Sequence, residues 1–188
     1  GPVVVSLPED MLVEEVDVAD VAVAKYPVPE PGEGDLGQLR ELLSGSSKPL
    51  VIFGGGGWSA DSTADLQAFC EANDLPAIAS FRTQDIFNND HPNFIGELGY
   101  NTNPKLAQRV KDADLILAIG ARLGETATMA YTLIKAPRPD QKLIHVYPDH
   151  SELGRVFQAD LPIATDLGAF LNKARQHVQV DTTAWASW

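Results

Sequence analysis

Four consecutive glycines, Gly54 to Gly57, separate a run of apolar residues from a segment with helical character. The stretch from Gly55 to Ala60 matches the pattern G-x-G-x-x-A. Glycine at these positions permits a tight turn and lets the backbone approach a pyrophosphate at the N-terminus of the following helix. The same glycines would equally allow a strand to turn sharply under a helix. The pattern therefore indicates either a phosphate-binding loop or a plain turn.

A second strand end carries glycine and a cation: "DLILAIGARLGE" places Gly120 after an apolar run and Arg122 two residues later. In open α/β sheets the ligand crevice lies where the strand order reverses, between the carboxyl ends of the first and fourth strands. We expect the strands that end at Gly54 and Gly120 to flank this crevice, with Arg122 near a bound anion. A surface or interface salt bridge is the alternative role of Arg122.

Other polar residues give less support for nucleotide chemistry. The strand at 76–80 is followed by Arg82, and no acid occurs before Asp85, whereas an ordinary NAD dehydrogenase places an acid there for the ribose. Asp149 follows a strand and either accepts a hydrogen bond from a ribose or adenine or ends the strand as a turn residue, which we favour. Three histidines are predicted to be structural: His91, His145 and His150. No residue is predicted to be catalytic or to bind a metal.

The elements that position these residues alternate along the chain. Short apolar strands are predicted at 49–54, 76–80, 94–98, 114–120, 142–148 and 161–165. Helices are predicted after a cap at Asp35, over 59–72, from Asn103-Pro104 to about 113, and after a cap at Asp166. This alternation predicts an α/β fold of three layers, with a doubly wound, Rossmann-like parallel sheet of about six strands.

The first 34 residues have a different character. "GPVVVSLPED" is predicted to form a strand that ends at Pro8, and prolines at 27, 29 and 31 predict an extended linker. We expect this segment to be a poorly packed or extended arm, with the compact domain beginning near Asp35. An unpaired "VVV" strand favours aggregation or dimerisation. Because the first residue is not methionine, we expect the sequence to begin inside a longer protein.

Composition narrows the class of protein. The chain has 188 residues, 44% of them hydrophobic, and a net charge of -12, which argues against nucleic acid and anionic membranes as partners. Cys70 is the single cysteine, so an internal disulfide or a multi-cysteine zinc site is excluded. With no signal-peptide pattern and no apolar run long enough to span a bilayer, a soluble cytoplasmic protein is predicted.

Several stretches together resemble the thiamine-diphosphate enzymes of the acetolactate synthase, oxalyl-CoA decarboxylase and benzaldehyde lyase type. "GPVVVSLPEDM" resembles the strand that closes their first, pyrimidine-binding domain, and "KPLVIFGGGG" the opening strand of their central domain. "NDHPNFIGELG", "ADLILAIGARLGE" and "HVYPD" follow in the family's order, and "TTAWASW" resembles the start of the connection to the third domain. The resemblance covers nearly the whole chain.

The resemblance implies a DHS-like NAD/FAD-binding topology and three parts: residues 1–34 as the end of the preceding domain plus linker, 35–179 as the central domain, and 180–188 as the start of the next linker. Thiamine diphosphate and Mg²⁺ would be bound by the flanking domains. An ADP-like nucleotide would contact residues matched to the family's site: Gly55, Gly56, Gly57, Arg82, Gly120, Arg122 and Asp149. FAD is not expected, because Leu123 to Thr126 and Gly99 to Thr102 depart from the flavin relatives' motifs.

The function implied is that of the central domain of a thiamine-diphosphate-dependent carboligase or decarboxylase, a transferase or lyase acting on 2-keto acids. The domain would be structural, with no catalytic activity alone. Its partners would be the flanking domains of the same chain, in a homodimer or homotetramer. The alternative is a free-standing module of the same fold that binds FAD, NAD or ADP.

Overall fold

The computed structural model describes residues 2–188 and contains one parallel sheet of six strands. The strands are β1 (Pro49–Phe53), β2 (Ala77–Ala79), β3 (Phe94–Glu97), β4 (Leu115–Ile119), β5 (Lys142–Tyr147) and β6 (Leu161–Ala164). Their spatial order is β3-β2-β1-β4-β5-β6, so the order reverses between β1 and β4. This confirms the predicted doubly wound α/β fold and places the crevice between the two predicted strands.

Four α-helices cover the sheet: α1 (Glu33–Ser44), α2 (Ala60–Ala72), α3 (Pro104–Asp112) and α4 (Leu167–His177). The buried residues of α1, α2 and α4 pack with Val51 and Phe53 of β1, which point to one face. Those of α3 pack with Leu50 and Ile52 on the other face, together with residues of the segments after β4 and β5. The three predicted layers are therefore present. None of the helices in residues 2–188 has the length and apolar character needed to cross a membrane.

The helix starts follow their caps. Asn103 accepts a hydrogen bond from the backbone N–H of Lys105, and Asp166 accepts one from that of Ala169, as predicted from their positions. The prediction that Asp35 caps α1 is wrong by three residues. Gly32 is the capping residue, and the Asp35 carboxylate reaches back to accept from the Gly32 N–H at 2.9 Å. Asp35 thus closes the first turn from inside the helix.

The N-terminal arm (residues 2–30) extends away from the domain. The predicted strand ending at Pro8 is absent, and the arm contains only a 3₁₀ turn at Met11–Val13. Val4 is 93% exposed, and no strand of the domain pairs with it. A strand needs a neighbour to satisfy its backbone groups, and residues 2–30 pair with neither edge strand of the sheet, β3 or β6. The expected extended arm is therefore observed.

The arm joins the domain beside β6. The carbonyl of Pro29 accepts hydrogen bonds from the Thr165 hydroxyl at 2.9 Å and the Asp166 N–H at 3.0 Å. Glu30 forms an ion pair with Lys173 of α4 at 2.7 Å, and Pro31 is buried. These contacts fix the point at which the exposed chain enters the fold.

The C-terminal segment (residues 178–188) packs along the amino edge of the sheet. Trp185 is 2% exposed and belongs to the core cluster of α1, α2 and α4. Trp188 donates its indole N–H to the Pro49 carbonyl at 2.9 Å, at the start of β1. Its ring lies against the guanidinium of Arg109, 4.8 Å from the ring centroid. The stretch predicted to begin a linker is thus held against the domain.

Candidate functional site

The carboxyl ends of β1 and β4 lie in contact. The Gly54 N–H donates to the Ile119 carbonyl at 3.1 Å. Gly55 has φ +74°, and a Cβ there would lie 2.2 Å from the Gly120 carbonyl oxygen. Gly120 has φ +68°, and its Cβ would lie 2.5 Å from the Gly54 carbonyl oxygen. The two strand ends approach closely only because these residues are glycines.

The rest of the glycine loop (Gly54–Gly57) is exposed above this contact. Gly57 has φ +87°, whereas Gly56 lies outside the left-handed region and has open space around its Cα. Within residues 2–188, no hydrogen bond uses the amide N–H groups of Gly55, Gly56 or Gly57. Successive N–H groups in alternating conformations form a concave anion-binding surface, here just before α2.

Trp58 closes the loop. Its indole N–H donates to the Gly54 carbonyl at 2.9 Å, and its ring packs against the core. The bond gives the Gly54 carbonyl, whose oxygen lies beside Gly120, a hydrogen-bond partner. Analysis of the sequence missed this role, although the signal was local: a large donor side chain four residues after Gly54.

Arg122 forms the salt bridge considered as its alternative role. Its guanidinium donates to a carboxylate oxygen of Glu152 at 2.8 Å, and Arg155 approaches the same oxygen at 3.4 Å. The bond from Arg122 lowers the pKa of the Glu152 carboxyl. The Arg122 side chain is 60% exposed and Glu152 only 11%, so the guanidinium keeps an open side toward solvent. Glu152 was not predicted, because its partner is 30 residues away.

Arg82 lies at the carboxyl end of β2, beside β1. Its backbone is left-handed, with φ +62°, and its N–H donates to Glu97 at 3.1 Å. The guanidinium stacks on the Phe81 ring at 4.9 Å. Among the described residues it forms no ion pair with an acidic side chain within 4.0 Å. It therefore presents positive charge at the edge of the crevice.

Asp149 occupies the turn after β5. One carboxylate oxygen accepts from the Ser151 N–H at 2.9 Å and from the Ser151 hydroxyl at 2.7 Å, and these bonds lower the pKa of Asp149. The turn role favoured from the sequence is thus the geometry observed. The other carboxylate oxygen has no hydrogen-bond partner within residues 2–188.

Two of the three histidines predicted to be structural, His145 and His91, have structural contacts, whereas the exposed side chain of His150 forms no hydrogen bond or ion pair within residues 2–188. His145 is buried, and its Nε2–H donates to the Ala121 carbonyl at 2.9 Å, because a carbonyl can only accept. Burial lowers the pKa of this imidazole. His91 contacts Glu71 at 2.8 Å, and its Nδ1 accepts from the Asn93 N–H. Both rings hold neighbouring segments of chain in place.

The structure thus brings the predicted residues to one edge of the sheet, at the ends of four adjacent strands. The glycine loop and Gly120 touch, Arg122 and Arg82 flank them, and Asp149 lies beyond β4 at the end of β5. Unused amide donors and two exposed guanidinium groups suit an anion such as a diphosphate. Within residues 2–188 no group of three or more His, Cys, Asp or Glu side chains is arranged to hold a metal ion.

Comparison with curated proteins identifies several similar enzymes. The acetolactate synthase large subunit of Corynebacterium glutamicum is 27% identical over 198 residues, covering all of this chain and 31% of the relative. Sulfoacetaldehyde acetyltransferase of Rhodobacter capsulatus is 30% identical over 171 residues, covering 90% of this chain and 29% of the relative. Glyoxylate carboligase of Escherichia coli O157:H7 is 28% identical over 174 residues, with coverages of 91% and 29%.

The chain thus spans less than a third of the length of these relatives. The family model described as "Thiamine pyrophosphate enzyme, central domain" matches residues 36–174, nearly the same range as the sheet and its helices. The match supports the central-domain interpretation and gives no support to a free-standing nucleotide-binding module. The chain belongs to the family of thiamine pyrophosphate enzyme central domains.

Proposed function

We propose that the parent protein is a thiamine-diphosphate-dependent carboligase or decarboxylase that acts on 2-keto acids. The printed names of its relatives, which include acetolactate synthase and glyoxylate carboligase, support this class of reaction. In this proposal residues 35–179 are the central domain, residues 1–34 end the preceding domain and form a linker, and residues 180–188 lead to the next domain. The family match to residues 36–174 carries the assignment.

Thiamine diphosphate and Mg²⁺ belong, in this proposal, to the flanking domains. The central domain supplies a rigid sheet between them, and its own residues carry out no covalent step. Isothermal titration of the 188-residue chain with thiamine diphosphate and Mg²⁺ tests this division. No saturable heat and no turnover of a 2-keto acid are expected, whereas binding in the micromolar range would overturn it.

The carboxyl edge of the sheet is proposed to bind an ADP-like nucleotide through its diphosphate. The observation that carries this is the set of unused amide N–H groups of Gly55 to Gly57 at the start of α2. The helix dipole adds roughly 0.3–1 kcal/mol for an exposed anion. Arg122 adds a charge-assisted hydrogen bond from the open side of its guanidinium.

Replacement of Gly56 by valine tests the loop directly. Gly56 has open space around it, so the larger side chain leaves the fold intact and occupies the space that a diphosphate needs. We expect ADP binding, measured by calorimetry, to be lost. Gly37→Val is the matched control, because Gly37 is also an open glycine but lies on α1, away from the crevice. Equal ADP affinity in Gly56→Val and the wild type would identify the loop as a plain turn.

Arg122→Ala tests the second contact. The expected loss of ADP affinity is about tenfold, since 1.4 kcal/mol corresponds to one decade. FAD is expected not to bind, because Leu123 to Thr126 replace the motif of the flavin relatives. A purified parent protein that is yellow and retains FAD through gel filtration would contradict this.

The last part of the proposal concerns the cellular location, oligomeric state and partners of the parent protein. We place it in the cytoplasm as a homodimer or homotetramer, with the flanking domains as the partners of this chain. The net charge of -12 supports a partner set without nucleic acid. Fractionation of cells that express the tagged parent protein, followed by light scattering, tests both statements.

A further inference from the structure

The backbone that carries Arg122 leaves the sheet with little main-chain support. The Gly120 N–H donates to a carbonyl of β5 at 2.9 Å, which is the last main-chain hydrogen bond between this part of the chain and β5. Beyond it, the post-β4 segment (residues 121–123) makes one backbone hydrogen bond among residues 2–188. The Ala121 carbonyl accepts it from the imidazole Nε2–H of His145 at 2.9 Å. A single side chain from β5 therefore anchors the segment that carries Arg122.

His145 is placed for this contact by the register of the sheet. It lies opposite Ala118 of β4 on one side and Pro162 of β6 on the other, and it is 3% exposed. Because its Nε2 donates to a carbonyl, the neutral ring carries its hydrogen there and has a lone pair on Nδ1. Nδ1 is buried and has no hydrogen-bond partner within residues 2–188. The polar contact of the ring is therefore its donation to the post-β4 segment.

The groups around the imidazole offer no acceptor for a second ring proton. The Tyr147 ring meets it edge-on, with 6.1 Å between the centroids, and Glu152 is the acid whose charge acts on it. The Glu152 carboxylate already accepts from Arg122 at 2.8 Å and is approached by Arg155 at 3.4 Å. The facing residues of β4 and β6 have no ionisable group. A proton on Nδ1 would thus create a buried cation with an unpaired N–H, which is costly.

We propose that His145 is a positioning residue of the anion crevice and that its protonation releases the post-β4 segment. While the ring is neutral, it holds the Ala121 carbonyl, and Gly120 and Arg122 on either side keep the positions that the proposed diphosphate site needs. When Nδ1 takes up a proton from solvent, the imidazolium gains hydration only if the segment moves away. Acid therefore favours the open form. The inference rests on the proposed nucleotide function for its ligand, whereas the anchor itself needs no ligand.

The direction of the pH effect follows from proton linkage. Burial lowers the pKa of His145 in the closed form, against the smaller opposing effects of the Ala121 hydrogen bond and the Glu152 charge. In the open form the pKa returns to the ordinary value of about 6.5. The open form then binds more protons, so closure is fully stabilised above that value. Below it, the opening equilibrium constant rises about tenfold for each pH unit, down to the lowered pKa.

Native-state hydrogen exchange of the 188-residue chain, corrected for the intrinsic pH dependence of amide exchange, measures the opening of residues 121–123. We expect the acid-dependent rise in the wild type. His145→Gln is the conservative variant, because its amide also donates and does not titrate in this range. It is expected to keep the segment closed and to remove the acid dependence. His145→Phe keeps a ring without a donor, and opening is expected to rise about tenfold above pH 7, as for the loss of one hydrogen bond.

His91→Gln is the matched control. His91 also has structural contacts, with Glu71 and Asn93, but lies outside the crevice. The exchange of residues 121–123 and its pH dependence are expected to stay as in the wild type. ADP extends the test to the ligand: a nucleotide that binds only the closed form, present at about ten times its dissociation constant, should reduce opening of the segment about tenfold.

The contrary results are distinct. The same pH dependence in the wild type and His145→Gln overturns the proposal, and so does an effect of His145→Phe no larger than that of His91→Gln. ADP that binds without reducing the opening also overturns it, because the segment would then not belong to the site. A wild type that binds no ADP overturns the nucleotide function instead, and the pH dependence of exchange then decides the role of His145. Circular dichroism checks each fold, and the comparison with His145→Gln suffices if His145→Phe is unfolded.

Discussion

The two ends of the described chain have opposite relations to the same domain. Every valine, leucine, methionine and tyrosine of the N-terminal arm is exposed, from Val3 to Val28. The shorter C-terminal segment places Trp185 in the core and Trp188 across the start of β1. Apolar content is therefore not what decides whether a terminal segment packs. A terminal segment packs on the domain when the domain offers a surface with hydrogen-bond acceptors that match its donors.

Asn73 provides that surface. It is fully buried at the end of α2, and its amide donates to the Phe69 carbonyl at 3.0 Å and the Val178 carbonyl at 3.1 Å. Its side-chain oxygen accepts from the Val180 N–H at 3.1 Å, as a neighbouring strand would. The Trp185 indole then donates to the carbonyls of Asn73 and Asp74. The N-terminal arm has no comparable receptor on its own domain.

The largest effect is expected for Trp185→Ala. The change removes a buried aromatic side chain together with its hydrogen bonds to the two carbonyls, and it leaves a cavity beside α2 and α4. The free energy of unfolding should fall by about 3–5 kcal/mol. Urea denaturation followed by circular dichroism measures this. A loss below about 1 kcal/mol, typical of surface positions, would mean that the segment is only loosely attached.

Asn73→Ala should lower the free energy of unfolding by about 2–3 kcal/mol, somewhat less than Trp185→Ala. The reason is that backbone groups of Phe69, Val178 and Val180 lose their hydrogen-bond partner. The same denaturation experiment applies. Asn172→Ala on the exposed side of α4 is the matched control and should stay within about 0.5 kcal/mol of the wild type. If both asparagine variants behaved alike, Asn73 would not be the residue that holds the C-terminal segment.

Trp188→Phe tests how much Trp188, compared with Trp185, contributes to holding the C-terminal segment. Phenylalanine keeps a ring for the Arg109 guanidinium but loses the hydrogen bond to the Pro49 carbonyl. The expected loss of stability is about 0.5–1.5 kcal/mol. Hydrogen exchange should show faster opening of residues 186–188 and unchanged protection of β1. Faster exchange throughout β1 would instead show that Trp188 supports the sheet itself.

Deletion of residues 2–28 should have the smallest effect on the monomer. It retains Pro29, Glu30 and buried Pro31, which make the contacts with β6 and α4. The free energy of unfolding, measured at high dilution, should change by no more than about 0.5 kcal/mol. A loss comparable to that of Trp185→Ala would remove the distinction between the two ends.

The strands and caps were predictable because their signals are local. The apolar runs that became β1 and β4 are bounded by glycine, and the caps Asn103 and Asp166 directly precede their helices. The predicted strand at the N-terminus failed for the opposite reason: "VVV" has strand propensity, but a strand also needs a neighbour that no local pattern supplies. The same limit applies to Trp185, whose acceptors lie 112 and 111 residues away.

In the candidate site, too, features with a local sequence signal were predictable and features that depend on distant residues were not. The positions of Gly55, Gly57 and Gly120 followed from motif spacing and from the strand order. The partner of Arg122 did not, because Glu152 reaches it from the turn after β5. The role of Asp149 as a turn residue was predictable, since Ser151 lies two residues away and such turns are a local property of aspartate.

The contact between Gly55 and Gly120 has a consequence for how this loop evolves. Packing alone excludes a side chain at both positions, and Gly54 is excluded likewise, because a Cβ there would lie 2.5 Å from that of Ser80. Purifying selection would therefore keep these glycines in a lineage that had lost its nucleotide. Gly56 has no such constraint from the fold, and only a ligand would select against a side chain there. Relatives in which Gly56 is substituted while Gly54, Gly55 and Gly120 are unchanged would be those whose crevice no longer binds a nucleotide.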